Sequence, residues 1–402
     1  MPEGVPFVPM WQLTTWDKNF NAVERDKQPA TLDYRHFLAS ELRNLAVEEG
    51  GLVKLLSTGM GDFGWTTEDL VVDDVSEAEI IAIPWGGTAS VQYYNGKFVT
   101  ADNRIAVSSD PGRLLTRFLY YVMLSRMDEL ASYYRGAGIQ HPNMSKVLDM
   151  KIPAPPLDIQ REIVRILDTF AELEAELEAE LETRIIQYDY YREELLAFLE
   201  RKDMRRVPLG ELGSFIRGRR FTKEDFVDVG IPCIHYGEIY THYGVEATTA
   251  LSHVRTDLAN QLRFANPGDV IIAAVGETVE DVAKAVAWMG EESVAIHDDT
   301  FLFRSDLNPK YVAYFMRTKA FHDEKSMHVA RAKVKRLSGE GLGKIVIPVP
   351  SIDEQHRIVS ILDKFEALVN DRSNGLPVEL NARRKQYEYY RDKILTFREA
   401  AA

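Results

Sequence analysis

The sequence predicts an α+β protein in which two small mixed α/β domains alternate with two long helical segments. Three observations lead to this fold class. The chain repeats itself once, its most strongly repeated parts carry a coiled-coil pattern of apolar residues, and the remaining parts contain short strand-like runs bounded by turn residues. We place the mixed domains at residues 1–152 and 202–347, and the helical segments at 153–201 and 348–399.

The internal repeat is clearest in two blocks that lie 195 positions apart. IPAPPLDIQREIVRILDTF begins at Ile152 and IPVPSIDEQHRIVSILDKF begins at Ile347, and 11 of the 19 positions are identical. The repeat resumes with QYDYYR at Gln187 and QYEYYR at Gln386, which are 199 positions apart because the second copy has gained four residues. The chain is therefore a tandem of two copies of one structural repeat, which predicts a pseudo-twofold arrangement.

Both strongly repeated segments have the apolar spacing of long helices, and a Pro-rich start favours extended backbone before each helix. The first follows steps of three and four over about 42 residues, or roughly 60 Å of helix. In the second, Gly375 and Pro377 predict a break followed by a new helix. We expect the two segments to pack as an antiparallel coiled coil. The apolar positions of the first seam include Ile163, Ile166, Phe170, Leu173 and Leu177.

The two remaining parts have the pattern of mixed α/β domains that are rich in loops. Each contains short apolar runs between Gly, Pro, Asn and Asp, which predict strands, and then a longer run with helical spacing. The predicted strands include Ile80–Ile83, Val91–Tyr94, Val270–Val275 and Phe301–Phe303, and the predicted helices are Leu114–Met127 and Pro309–Phe321.

Composition indicates a protein of the reducing cytoplasm, without a membrane span. The N-terminus has no secretory pattern, and Cys233 is the only cysteine, which excludes an internal disulfide and a cysteine-rich zinc site. The net charge of −14 argues against nucleic-acid binding when taken alone. The charge is segregated, however, because residues 171–182 contain six Glu and no base, whereas Arg and Lys cluster at 217–220 and 331–336.

The sequence has no catalytic signature. It lacks the Gly-x-x-x-x-Gly-Lys-(Ser/Thr) phosphate loop, the His-Glu-x-x-His zinc motif and the Asn-Pro-Pro-aromatic tetrapeptide of amino-methyltransferases. The glycines at Gly59 and Gly61 match a dinucleotide loop only weakly, since no suitable strand and helix surround them. We therefore expect no catalytic residue in this chain.

Two variable domains, each followed by a helical segment that opens with the IPxP block and closes with QYxYYR, resemble the specificity subunit of Type I restriction-modification systems over essentially the whole chain. The resemblance implies that each domain reads one half of a bipartite, gapped, asymmetric target in double-stranded DNA. It implies that the helices set the spacing and dock two modification (methyltransferase) subunits, which restriction (translocase/nuclease) subunits join. The chain itself would hold no cofactor, because S-adenosylmethionine, ATP and Mg belong to the partners. A coiled-coil scaffold that binds only protein is the alternative.

Candidate DNA contacts combine basic side chains with glycine turns at matched positions in the two copies. Arg can bind guanine bidentately and Lys can neutralise phosphate. The alternatives are a solvated basic run, a purely structural turn, and tyrosines that serve packing. In the second domain the candidates are Arg217, Arg219, Arg220, Thr278, Arg331, Lys333 and Lys335, and in the first they are Thr88, Tyr93, Tyr94, Lys97, Arg135 and Gln140.

The two YYR blocks are candidates for the subunit interface, because their aromatic residues cannot all lie on one helical face. Those that point outward would favour a protein interface, and the alternative is that all of them pack within the helices. The block residues are Tyr188, Tyr191, Arg192, Tyr387, Tyr390 and Arg391.

His297, Asp298 and Asp299 could bind a metal ion. We expect a capped turn there instead and no metal site, since Ala101 takes the place of the histidine in the first copy.

Overall fold

The structure is a computed structural model, and it describes residues 4–17, 26–57, 63–71, 74–197, 204–330, 334–370 and 375–400. The chain divides into two compact units. Unit 1 comprises Met1–Glu176 with Asn381–Ala402, and unit 2 comprises Leu177–Leu380. Each unit therefore contains one mixed domain with parts of the helical segments, and the four-segment division remains a prediction.

Unit 1 is built on a six-stranded sheet with strand order β2-β7-β5-β6-β3-β4, in which β3 and β6 are parallel. The predicted strand Ile80–Ile83 is confirmed within β5, where these residues are all buried. The strands are β1 (Phe7–Pro9), β2 (Thr14–Trp16), β3 (Val53–Leu56), β4 (Trp65–Thr66), β5 (Ser76–Pro84), β6 (Gln92–Thr100), β7 (Asn103–Ser108), β8 (Tyr134–Arg135), β9 (His141–Pro142) and β10 (Lys151–Pro153).

One face of this sheet packs against a helix that carries buried Phe118, Leu119 and Val122. The helix predicted at Leu114–Met127 is observed as Thr116–Ser125, and a second short helix follows it. The helices that begin in unit 1 are α1 (Ala39–Asn44), α2 (Thr116–Ser125), α3 (Met127–Ser132), α4 (Met144–Asp149) and α5 (Leu157–Ala197).

Unit 2 contains two five-stranded sheets, with strand orders β12-β22-β18-β20-β15 and β13-β16-β14-β21-β17. The strand β18 is completely buried because its alternate residues face two different cores. Ile272 packs in the core that includes the helical residues 311–315, and Ile271 packs in the core that includes residues of β21. The strands are β11 (Arg206–Pro208), β12 (Gly213–Arg217), β13 (Phe226–Val227), β14 (Ile231–Ile234), β15 (Glu246–Ala247), β16 (Ser252–Val254), β17 (Phe264–Ala265), β18 (Val270–Ala273), β19 (Val275–Gly276), β20 (Ala285–Trp288), β21 (Val294–Ile296), β22 (Thr300–Ser305), β23 (Lys335–Arg336) and β24 (Val346–Pro348).

The helix predicted at Pro309–Phe321 is interrupted, because Thr318 caps a new helix by accepting from the Phe321 amide. None of the helices in the described part of the chain combines the length and hydropathy that a membrane span needs. The remaining helices are α6 (Leu209–Leu212), α7 (Tyr236–Thr241), α8 (Pro309–Phe315), α9 (Lys319–Ser326), α10 (Gly339–Lys344), α11 (Ile352–Asn370) and α12 (Leu376–Leu395).

The Pro-rich segments before the long helices form short strands, as their extended backbone requires. In unit 1, β10 pairs antiparallel with β1 and places Ile152 opposite Val8. In unit 2, β24 pairs with β11 in the same way and places Ile347 opposite Val207. Each mixed domain is therefore closed where its first and last strands meet.

Within each unit, helices from different copies of the repeat pack together. In unit 1, Phe170 of α5 stacks on Tyr390 of α12 with ring centroids 5.8 Å apart. In unit 2, Phe365 of α11 stacks on Tyr191 of α5 at 5.3 Å. Phe170 and Phe365 are matched residues of the repeat, as are Tyr191 and Tyr390, so the two stacks are reciprocal.

Candidate nucleic-acid interface

A cleft in unit 2, with a volume of about 400 Å³, collects basic side chains from two distant parts of the sequence. Arg217 is the last residue of β12, Arg220 and Lys223 follow it in the chain, and Arg336 comes from β23. We call these four residues the basic cleft. Phe221, His235 and the turn His297–Asp299 also line it. Burial and nearby His297 lower the pKa of His235 below its usual 6.5, so the ring is neutral at pH 7.

Gly218 makes the basic loop possible, because its backbone lies directly against the 296–300 turn. A Cβ on Gly218 would lie 2.1 Å from the carbonyl oxygen of His297. The Gly218 amide donates to Thr300 and the Arg219 amide donates to Ile296, both at 3.0 Å. This close approach anchors the loop backbone and leaves Arg217, Arg219 and Arg220 exposed to solvent.

The turn His297–Asp299, which we call the acidic turn because it carries two aspartates, orients two of the cations. Arg217 Nε donates to the carbonyl oxygen of Asp298 at 2.7 Å, and Arg336 Nη1 lies 3.5 Å from Asp299 Oδ1. His297 holds the turn itself, since its Nδ1 accepts from the Asp299 amide at 3.2 Å and its Nε2 lies 3.1 Å from the Phe221 carbonyl oxygen. Ligand atoms of His297, Asp298 and Asp299 lie within 4.8 Å of one another, but these backbone contacts favour the capped turn over a metal site.

The glycine turn of unit 2 meets the second basic segment. Gly276 of β19 pairs with Lys335 of β23, and Val275 pairs with Arg336. Thr278 is exposed, and its hydroxyl donates to Asp281 Oδ2 at 2.7 Å, which holds the turn. The structure therefore brings Gly276, Thr278 and Lys335 together. Arg331 and Lys333 lie outside the described residues.

Unit 1 contains a similar arrangement of a glycine turn against a hairpin segment. The Gly87 amide donates to the carbonyl oxygen of Gln140 at 2.8 Å, and Gln140 precedes Lys335 by the repeat distance of 195. Arg135 pairs with His141 across the β8–β9 hairpin, as Ala330 and Arg336 are hydrogen-bonded in unit 2. Thr88, Arg135 and Gln140 are all exposed. Three of the six candidates in unit 1 thus lie on one surface.

The other three candidates of unit 1 have different neighbours. Tyr93 donates to Glu79 Oε1 at 2.9 Å, and the Arg117 guanidinium lies 4.3 Å from its ring centre, so packing engages much of this side chain. Burial raises the pKa of Tyr93 above its usual 10. Tyr94 donates to the Lys97 carbonyl oxygen, and the Lys97 ammonium pairs with Glu68. A role for these three in DNA contact remains a prediction.

The aromatic residues of the YYR blocks divide into packed and exposed sets. Tyr188 is only 4% exposed and packs in the unit 2 core, and Tyr387 is partly buried beside Phe170. Arg192 and Arg391 lie over these two rings, 5.3 and 5.7 Å from their centres. Tyr191 and Tyr390 are stacked and partly exposed. The most exposed members, which the sequence prediction missed, are Tyr190 (60%) and Tyr389 (59%).

Repeated polar residues connect each mixed domain to the helix that follows it. Gln160 and Gln355, a matched pair, are both buried, and each side-chain oxygen accepts a backbone amide of its domain at 2.9 Å. Asp168 accepts from Arg117 and Tyr121 of α2, and Asp363 accepts from Lys310 and Tyr314 of α8. The repeated motif therefore fixes each candidate surface to its helix.

Sequence reasoning also missed exposed residues that complete the surface in unit 1. Trp85 and Ile139 are 47% and 70% exposed, and they flank the predicted Thr88 and Gln140. The available signal was the repeat distance of 195, which matches Ile139 with Val334, another exposed aliphatic residue.

Comparisons with known proteins agree with this duplicated architecture. A family model described as the Type I restriction modification DNA specificity domain matches residues 72–185 and 201–382. The chain is 31% identical over 349 residues to a putative type I restriction enzyme specificity subunit of Haemophilus influenzae, covering 82% of this chain and 86% of the relative. It is 30% identical over 358 residues to a type I restriction enzyme specificity subunit of Escherichia coli, covering 83% and 84%.

Among solved structures, the fold is similar to that of a Type I restriction-modification S subunit from M. genitalium, with a TM-score of 0.53 and 18% identity over 97% of this chain and 95% of that one. This likeness concerns the mixed α/β fold. The sequence matches extend over most of the chain, and they include both copies of the repeat. The chain belongs to the Type I restriction-modification specificity subunit family.

Proposed function

We propose that this chain is the DNA-reading specificity subunit of a Type I restriction-modification complex and performs no chemistry of its own. The observation that carries the proposal is the duplicated surface, in which a glycine turn is hydrogen-bonded to Gln140, just before β9, in unit 1 and pairs with Lys335 of β23 in unit 2. The surfaces are built alike but carry different side chains. Two such surfaces are suited to two different half-sites.

The basic cleft supplies charge for DNA binding in spite of the net charge of −14. Arg219 and Arg220 are exposed for phosphate contact, which positions a protein on the duplex. Arg217 and Arg336 are already oriented by the acidic turn, so they lose less freedom when they bind. A preoriented arginine is suited to a guanine edge.

The helical segments would set the spacing between the two half-sites, so the target is bipartite, gapped and not a palindrome. In this proposal the segments 153–201 and 348–399 form an antiparallel coiled coil, and the domains 1–152 and 202–347 are separate target recognition domains. The reciprocal stacks of Phe170 on Tyr390 and of Phe365 on Tyr191 support the pairing of helices from the two copies.

Two methyltransferase subunits would dock on the helices, and restriction subunits would join that core in the cytoplasm. Exposed aromatic residues favour protein interfaces, and Tyr190 and Tyr389 occupy matched positions in the two copies. Such a pair is suited to two copies of one partner. S-adenosylmethionine, ATP and Mg would act in the partner subunits.

A domain exchange tests the proposal. The full chain, assembled with its modification partner, is selected against a pool of randomised duplexes, and the bound sequences are determined. We expect one asymmetric, interrupted sequence, and replacing residues 1–152 with the corresponding domain of another family member should change only one half of it. A change in both halves, or in neither, would contradict the modular reading. The absence of any enriched sequence would favour the protein-binding scaffold.

A further inference from the structure

The β8–β9 hairpin of unit 1 presents an exposed loop. Gly136 has a φ of +146°, and a Cβ there would lie 2.5 Å from the Ile139 carbonyl oxygen, so the loop conformation requires glycine. All residues from Gly136 to Gln140 are exposed. The hairpin is also fixed to the glycine turn, because His141 Nδ1 lies 2.8 Å from the Trp85 carbonyl oxygen. This anchoring holds the loop in one place.

Apolar and neutral polar side chains meet on this loop. Gly86 lies close against it, since a Cβ on Gly86 would lie 2.9 Å from Ile139 Cγ2. Within the described part of the chain, the side-chain amide of Gln140 has no hydrogen-bond partner. We call Trp85, Thr88, Ile139 and Gln140 the hairpin surface of unit 1. The side chains of these four residues are uncharged; among the described residues, Arg135 lies at the edge of the surface, and the guanidinium of the partly buried Arg104 lies 5.8 Å from the centre of the Trp85 ring.

The matched positions in unit 2 have a different chemistry. Val334 is exposed like Ile139, but the next residues are Lys335 and Arg336 where unit 1 has Gln140 and His141. Cations favour phosphate and guanine, whereas an amide can bind the N6 and N7 atoms of adenine, and an aliphatic group can contact the C5-methyl group of thymine. An exposed isoleucine gains nothing from a phosphate. The hairpin surface of unit 1 is therefore suited to base edges, not to the DNA backbone.

We infer that Ile139 and Gln140 determine specificity by reading an A·T pair in the major groove, with the Gln140 amide on adenine and Ile139 against the methyl group of thymine. This inference rests on the proposed function and adds the base class that unit 1 selects. A protein partner for the same apolar surface is an outcome that the experiment distinguishes.

The test compares the wild-type chain, in complex with its modification partner, with Gln140→Ala, Gln140→Glu and Ile139→Ala by selection on randomised duplexes. Gln140→Ala should lose the preference at one A·T position by roughly tenfold or more, and Gln140→Glu should shift that position towards cytosine, whose N4 donates to a carboxylate. Leu52→Ala is the matched control, because Leu52 is an equally exposed aliphatic residue of unit 1 outside the hairpin surface.

The methyl contact has its own test. Replacing the selected thymine with deoxyuridine removes only the C5-methyl group, and it should weaken binding of the wild type and of Leu52→Ala severalfold. Binding of Ile139→Ala should be unaffected by the replacement. Retained selection of the second half-site shows that each variant is folded.

Three outcomes overturn the inference in different ways. If the wild type enriches a sequence and the Gln140 and Ile139 variants keep the same preference, the inference is wrong and the proposed function stands. If these variants lose the modification partner but keep their base preference, the surface binds protein. If the wild type enriches no sequence, the proposed function fails and the inference fails with it.

Discussion

Single residues set the shape of the candidate surfaces in ways that charge alone does not reveal. Gly218 brings the basic loop within van der Waals contact of the 296–300 turn, where any side chain would collide with backbone. Lys325 is 1% exposed, and its ammonium donates to the carbonyl oxygens of Glu280 and Val282 at 2.7 and 2.6 Å. It thereby holds the segment that follows the Thr278 turn, so this lysine is structural, whereas Arg219 and Arg220 remain available to a ligand.

At the same scale, His322 should make the stability of unit 2 depend on pH. Burial, with Lys325 and Arg192 nearby, lowers the pKa of His322 from 6.5 to about 4, although Glu280 and Asp323 oppose this. The unfolded chain therefore binds a proton more readily between these values. The contribution of neutral His322 to the free energy of unfolding is fully present above pH 6.5. About 2 to 3 kcal/mol of this contribution is lost as the pH falls towards 4.

Urea unfolding of the wild type and of His322→Gln at pH 7 and at pH 5 measures this contribution. The wild type should lose more stability than the variant on acidification, and the difference removes the effect of the other titrating groups. Equal losses in the two proteins would show that His322 has no linked proton.

At the scale of elements, the repeated motif fastens each mixed domain to a helix. Asp363 of α11 accepts from Tyr314 of α8 at 2.8 Å and from Lys310 at 2.7 Å, and Asp168 has equivalent partners in unit 1. Burial and Asp363 raise the pKa of Tyr314 far above its usual 10, so the hydroxyl remains a donor. The motif aspartates thus connect each mixed domain to the helix that follows it.

We expect Asp363→Ala to destabilise unit 2 by about 2 kcal/mol, because it leaves the buried Tyr314 hydroxyl without its acceptor. When the two changes are combined, Tyr314→Phe should remove most of that penalty, because the hydroxyl that lost its acceptor is then absent. The double-mutant cycle isolates the interaction between the two side chains. Urea unfolding of the four proteins measures the cycle. Glu162→Ala, which breaks an exposed pair with Arg165, is the control and should leave stability nearly unchanged. Additive effects of the two unit 2 changes would contradict the predicted contact.

At the scale of the whole molecule, segregation of charge reconciles an acidic chain with DNA binding. The six glutamates of residues 171–182 lie on α5, away in sequence from the basic cleft. Exposed charges interact over roughly 10 Å at ordinary ionic strength, so local charge decides phosphate contact. The net charge of the whole chain therefore does not exclude phosphate contact at the basic cleft.

This argument predicts a change in salt dependence. The double variant Arg219→Gln with Arg220→Gln should bind the selected duplex more weakly and reduce the slope of log K against log salt by about 2, because two phosphate contacts are lost. Base preference should persist. Fluorescence anisotropy titrations from low to moderate salt measure the slope, with Arg165→Gln on α5 as a control that keeps the wild-type value. An unchanged slope in the double variant would exclude these arginines from the phosphate interface.

The sequence by itself determined the repeat, the mixed α/β character, the strand at Ile80–Ile83 and the family, because these depend on local periodicity and on identity between the two copies. Only the tertiary structure decided which residues form the surfaces. The contacts of Gly87 with Gln140 and of Gly276 with Lys335 join segments far apart in the chain, and such pairing leaves no local pattern. Burial separated Tyr188 from Tyr190 for the same reason, since a helical repeat shows that side chains differ in direction but does not show what each one meets.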